Sequence, residues 1–331
     1  MSYDYNISRE EREFFLSSMK NASVNQTLNA LHICAPLTPE VIFLLTCGIL
    51  MVVLNSLLVV IFIFHRELRS PFSVYLIALS IANVLCSGRS FCNAIQEVCP
   101  HFLYHPVLCD LRLYVGWCLS GLPENVHLLI AVNRIWAVAL PISYRNHHSI
   151  KLAIVLSAAA FVYVQVLTIP SVAINAWYYR PPLDKYGCFV NTFRMPVWYE
   201  ISIILIFEFP VVFVLFTWIY LMVRLHRSAK RAAMRKGLSQ MSEQMGAIRQ
   251  NKFNGSFAVF SFLTIGAVVC WLPYETMYVV WGFRNRTESE RKLPLNLLAV
   301  YTLQQVLDPV LIVLTSKPLR LCVRRIVGCR T

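Results

Sequence analysis

Ionisable side chains set inside otherwise apolar stretches are where this sequence could do chemistry, Arg89, Glu124, Glu275 and Asp308 among them. In a lipid surrounding such charges are expensive and mark sites of binding or switching. No nucleophile–base pair, phosphate loop or metal-ligand set accompanies them, so neither an enzyme nor a cofactor is suggested. The 11 cysteines form no CxxC pair and no His/Cys cluster at metal-ligand spacing. The chemistry to expect is recognition and switching by buried polar groups.

The elements that must hold those groups are long and apolar. Of the 331 residues 57% are hydrophobic and only 14% charged, where a soluble domain carries about a quarter. Seven stretches can span a bilayer core as helices: 40–64, 72–96, 107–137, 151–174, 197–224, 254–282 and 295–315. The second, third and seventh are the most polar, which fits helices that turn polar faces toward neighbours. The predicted fold is thus all-α, a seven-helix transmembrane bundle over 39–315, after a tail at 1–38 and before a short segment at 316–331.

The net charge of +13 suits either nucleic acid or cytoplasmic loops. Its placement decides, because Arg224 to Arg235 and Lys317 to Arg330 flank spans and form no soluble domain of their own. The positive-inside rule then puts the N-terminus outside and the C-terminus in the cytoplasm. Residues 1–38 lack an apolar run and do not read as a cleavable signal. The sequons at Asn6, Asn21, Asn25 and Asn285 fall on the predicted outer side as glycosylation candidates, whereas Asn254 falls inside. After the seventh span, Lys317 to Val327 alternates basic and apolar residues at helical spacing, as for a helix on the inner leaflet. Cys322 and Cys329 are candidate palmitoylation sites there.

Ordered landmarks now accumulate, one set per span: Asn55; Leu79 to Asn83; Cys109 and Asn133-Arg134-Ile135; Pro170; Pro210; Cys270-Trp271-Leu272-Pro273; and Asp308-Pro309. With these the chain resembles the rhodopsin-like G-protein-coupled receptors from Asn55 to Arg325, as a divergent, orphan-type member. Cys109 and Arg134 stand 25 residues apart, which on a helix is about 37 Å and places them on opposite faces. The resemblance implies a Cys109–Cys188 disulfide over the mouth of the bundle. Cys34 and Cys99 are candidates for a second bridge. It implies a ligand site lined by Arg89, Gly116, Trp117, Ser120, Trp271, Tyr274, Glu275, Tyr278, Tyr301 and Gln305. It implies a switch at Asn133, Arg134, Trp271, Pro273, Asp308 and Pro309, and a polar core of Asn55, Asn83 and Asp308. The partners would be an extracellular ligand, a heterotrimeric G protein and the lipid bilayer, with no nucleic acid.

The departures from that family are specific. Asn133 replaces the acid that restrains the arginine, and Asn251-Lys252-Phe253 offers none at the base of the sixth span. That loss should weaken the inactive state by about 1–3 kcal/mol and raise basal signalling. Asn83 and Asp308 are the family's Asp and Asn exchanged, and Pro123 stands in place of a hydroxyl of its sodium pocket. Ile312 and Trp218 stand where active-state tyrosines are usual, and Ala267 replaces an aromatic. Gly116 stands where amine receptors keep an acid, so an amine receptor is not expected. The aromatics from Trp177 to Tyr186 point to a peptide ligand, or to membrane-interface anchoring. Arg89 and Glu275 could also pair with each other and serve structure alone. A transporter would show an internal repeat and none is evident; a non-signalling or decoy receptor shares the fold.

Overall fold

The computed structural model describes residues 34–183, 187–188, 190–191, 194–235, 259–277, 293–326 and 328, with only the backbone of 196, 228–235 and 293–296. Among them seven helices are long and apolar enough to cross a membrane. They are α1 (Pro39–Phe64), α2 (Pro71–Val98), α3 (Pro106–Ala139), α4 (Ile150–Tyr179), α5 (Val197–Arg227), α6 (Val259–Met277) and α7 (Leu293–Thr315). A short helix, Pro141–His147, links α3 to α4, and an amphipathic α8 (Lys317–Ile326) follows α7. The seven predicted spans and the final helix are therefore all present. The outer ends of the predicted sixth span, 254–258 and 278–282, lie outside the described residues.

The starts of the helices follow from local chemistry. Thr38 caps α1, Ser70 caps α2 in a reciprocal arrangement with Ser73, and Ser149 caps α4. Proline opens α1, α2 and α3, where its missing N–H goes unused and its fixed φ suits a helix. Large apolar side chains such as Leu57, Val166 and Phe216 remain exposed around the outside, as lipid-facing surfaces require.

Prolines inside the spans free backbone carbonyls, and side chains from neighbouring helices take them up. Pro210 has no N–H for Ile206, whose carbonyl accepts from Asn125 Nδ2 at 3.0 Å. Pro309 has none for Gln305, whose carbonyl accepts from Asn55 Nδ2 at 3.1 Å. The backbone widens to π geometry at Tyr114–Leu119, Asn175–Tyr179 and Ile204–Glu208, and Gln165 Nε2 donates to the Cys118 carbonyl in the first of these. These crossings fasten α3 to α4, α3 to α5 and α1 to α7.

Both ends of the bundle are marked. At one, disulfides join Cys109 to Cys188 and Cys34 to Cys99, so the bridge that the sequence left open forms. Arg180 pairs with Asp110 at the same end. At the other end lie Arg134, His148 and α8. Cutting the 65-residue Cys34–Cys99 loop, as Cys34→Ser/Cys99→Ser, should cost only about 1 kcal/mol. Spans that stay inserted after thermal unfolding regain little loop entropy. Melting of the full chain in lipid nanodiscs checks this; a loss as large as about 4 kcal/mol, the free-chain value, would contradict it.

Candidate functional site

A cavity of about 290 Å³ opens at the disulfide-bearing end among α2, α3, α5, α6 and α7. Arg89, Cys92, Asn93, Gln96 and Glu97 of α2 line it, with Arg112, Leu113, Gly116 and Trp117 of α3. Ile203, Phe207, Tyr274, Glu275 and Leu298 complete the wall. Arg112 Nη1 donates to the Cys188 carbonyl at 3.0 Å, which ties the bridged loop to the cavity's edge. Arg89 donates to the Tyr274 hydroxyl at 2.6 Å and lies 4.8 Å from the centre of the Tyr301 ring. A Cβ on Gly116 would meet nothing within 4 Å, so that side of α3 is open space.

Of the residues the sequence placed around a ligand, Arg89, Gly116, Trp117, Tyr274 and Glu275 face this cavity. Ser120, Trp271, Tyr301 and Gln305 do not. They are fully or almost fully buried beneath it, and Ser120 packs instead on the Cys86 sulfur at 3.9 Å. On α3 the π segment at Tyr114–Leu119 carries Gly116 and Trp117 and ends just before Ser120, and one extra residue in such a turn changes which side chains look inward. Tyr278 lies outside the described residues. Trp177 and Tyr178 are 78% and 71% exposed and do not line the cavity. Arg112 and Phe207 went unnoticed in the sequence because nothing there reveals a π-widened turn.

Beneath the cavity a column of aromatic and polar groups runs inward. The Tyr301 hydroxyl donates to Glu124, and the Tyr301 ring lies 5.0 Å from Tyr274 and 6.0 Å from Trp271. Trp271 meets His127 edge-on at 4.9 Å, and His127 Nε2 approaches Asp308 Oδ2 at 3.4 Å. His127 was absent from the predicted site. Its signal was available, since it lies three residues after Glu124 and seven before Arg134, on one face of a helix.

Asp308 is fully buried and is the hub of the polar core. Asn83 Nδ2 donates to its Oδ2 at 2.9 Å, and Gln304 Nε2 donates to its Oδ1 at 2.6 Å. Asn83 Nδ2 also reaches Asn55 Oδ1 at 3.2 Å. The expected grouping of Asn55, Asn83 and Asp308 is thus assembled as one network, with the carboxylate on α7 and the carboxamide on α2.

At the far end, Arg134 is 7% exposed and its guanidinium stacks 3.4 Å from the centre of the Phe72 ring. Its Nε and Nη2 lack hydrogen-bond partners among the described residues. Beside it Asn133 is clamped: its Nδ2 donates to His148 Nε2 at 2.9 Å, and the Tyr144 hydroxyl donates to its Oδ1 at 3.4 Å. The Tyr75 hydroxyl lies 3.2 Å from the same His148 nitrogen. Burial, and after it the charge of Arg134, pushes the His148 imidazole below its ordinary value. Burial pushes the Tyr144 hydroxyl up. A neutral clamp thus stands where the sequence suggested only a missing restraint.

Asn6, Asn21, Asn25, Asn285 and Cys329 lie outside the described residues. Cys322 is 6% exposed and packs with Leu319 against the bundle core; acylation there would require the thiol to leave that contact. Ile312 is fully buried and Ala267 nearly so. Pro273 sits within α6, between Trp271 and Tyr274.

Residues 54–311 match the family described as 7 transmembrane receptor (rhodopsin family). The muscarinic acetylcholine receptor M2 of Gallus gallus is 24% identical over 227 residues, 66% of this chain and 47% of that receptor. Pinopsin of Columba livia is 24% identical over 300 residues, 84% of this chain and 77% of the opsin. A probable G-protein coupled receptor, No9, of Amphibalanus amphitrite is 33% identical over 135 residues, 40% of this chain and 28% of its own. The chain spans less than half the length of the muscarinic relatives M2 and M3.

Proposed function

The chain belongs to the rhodopsin family of seven-transmembrane receptors, and from that premise we propose that it binds an extracellular ligand in the cavity at its disulfide-bearing end and activates a heterotrimeric G protein at the end that holds Arg134. The N-terminal tail, 1–38, is then outside the cell and carries the glycans at Asn6, Asn21 and Asn25, with Asn285 on the same side. The Lys/Arg-rich segments and α8 face the cytoplasm of a cell whose plasma membrane the bundle, 39–315, crosses. Disulfides persist on the oxidising side of a membrane, which agrees with the charge bias.

The observation that carries this reading is the column of side chains that runs from the cavity to Asp308. Tyr274, Tyr301, Trp271, His127 and Asp308 touch in succession, and Arg134 waits on α3 seven residues beyond His127. A ligand that shifts Tyr274 acts on a packed series of side chains, and in packed cores a small displacement is amplified into a larger one. The cavity's size suits a small molecule or one terminal residue of a peptide, so a peptide ligand is held by its end. The relatives' names speak of acetylcholine and of an opsin, and so leave the ligand class to this chain's own residues.

A non-signalling receptor is the second reading, favoured by Ile312, Trp218 and Ala267 in the switch. One experiment separates the two: G-protein activation in cells displaying the full chain, alone and with ligand libraries, beside Arg134→Ala at equal surface level. The receptor reading expects activity above an empty control that Arg134→Ala removes. Indistinguishable activity of both variants in every G-protein pathway would leave the non-signalling reading standing.

A further inference from the structure

One carboxyl of the cavity stands without a hydrogen-bond donor among the described residues. Glu275 lines that cavity from α6 and is 4% exposed, yet among the described residues nothing donates a hydrogen bond to its carboxyl. Two more carboxyls, Glu124 on α3 and Glu208 on α5, lie within electrostatic reach, as does Arg89. Arg89 is already committed to the Tyr274 hydroxyl and to the Tyr274 and Tyr301 rings. Glu124 takes the Tyr301 hydroxyl on one oxygen, and its other oxygen has no partner among the described residues. A buried acid without a donor is costly, and a protein keeps one in a membrane bundle where something else completes it.

We propose that the ligand carries a cationic hydrogen-bond donor, an ammonium, amidinium or guanidinium group, and that Glu275 takes it. This rests on the reading of the cavity as the ligand site and names the chemistry that site selects. Trp117, Phe207 and Tyr274 supply aromatic surfaces around the same space, which attract cations through their π faces. Gly116 leaves the α3 wall open, so the ligand body lies against α3 while its charge points to α6. An anionic ligand finds less here, because Arg112 is turned to the Cys188 carbonyl and Arg89 to Tyr274.

The test uses the full chain in lipid nanodiscs, with binding read as a saturable thermal shift that needs no G protein. The probes are phenethylamine and benzamidine, each beside a neutral isostere (phenethyl alcohol, benzamide), and phenylacetate as the anion. Phe-Gly amide beside its N-acetylated form separates a peptide's terminal ammonium from a free small amine. At least one cationic probe should bind wild type at least ten-fold more tightly than its neutral or anionic counterpart. Glu275→Gln should erase that preference and Glu275→Asp keep part of it. Absence of binding by every cationic probe, tighter binding of phenylacetate, or an unchanged preference in a normally melting Glu275→Gln overturns the proposal. Loss of the receptor reading would appear elsewhere, as absent G-protein activation with binding intact.

Discussion

Asn83→Asp is expected to break the middle of the bundle, and Asp308→Asn in the same chain to mend it. Asn83 Nδ2 donates to both Asp308 and Asn55, at 2.9 and 3.2 Å. An aspartate at 83 removes both donors and sets a second carboxyl against the first in a site with no exposure. Leaving a buried charge without its partner costs about 3–5 kcal/mol, so Asn83→Asp should melt far below wild type or fail to reach the surface. In the double variant the carboxamide on α7 donates to the carboxyl on α2. At least half the loss should return. Non-additivity of this size is what a direct pair gives and distant sites do not. The measurement is a double-mutant cycle of melting temperatures in nanodiscs, followed by reaction of the buried thiols Cys47, Cys86 and Cys270. A double variant no better than Asn83→Asp would show that Asn83 and Asp308 are neighbours without being partners.

The second large effect is expected at the opposite end. His148→Phe keeps the stacking on Tyr144, whose ring centre lies 4.3 Å away, but deletes the nitrogen that accepts from Asn133 Nδ2 and that the Tyr75 hydroxyl approaches. Leaving the Asn133 amide without its acceptor costs about 2 kcal/mol, or about 30-fold in the ratio of restrained to released states. On the receptor reading, basal G-protein activation should rise steeply at equal surface level. Acid should mimic the substitution. A histidine with a depressed value binds fewer protons when clamped than when free, so its contribution is complete above about pH 6.5. It is lost as pH falls through the lowered value. The groups facing it agree with that sign: Arg134 adds positive charge nearby, and Tyr144, with its hydroxyl pushed up, stays protonated throughout. Permeabilised membranes buffered on the cytoplasmic face should therefore show basal activation increasing with acidity in wild type and flat in His148→Phe. Equal pH dependence in both would remove His148 from the switch.

Asn133 shows how far the sequence carried the argument and where it stopped. Replacement of an acid by a neutral residue is visible in the chain and led to an expectation of weakened restraint. His148 and Tyr144, which supply another restraint, lie 15 and 11 residues further on, past a turn whose course no periodicity fixes. Ser120 and Arg112 repeat the lesson at the cavity. A uniform helix predicts one inward face for α3, and the π segment between them changes that face partway along. His127 is the intermediate case, legible by its spacing from Glu124 yet meaningful only once Asp308 is seen 3.4 Å away.

By itself the sequence determined the seven spans, their prolines, the final amphipathic helix and the exchange of Asn83 with Asp308. Span length, apolar content and helical spacing are local properties, and lipid leaves a backbone of this length few alternatives to a helix. Tertiary structure alone decided which polar groups meet: that the Cys34–Cys99 bridge closes, that Arg89 answers Tyr274, that His127 touches both Trp271 and Asp308, and that Glu275 faces the cavity with no hydrogen-bond donor among the described residues. Those are contacts between helices far apart in the chain, set by packing, where one extra residue in a turn re-aims every side chain beyond it.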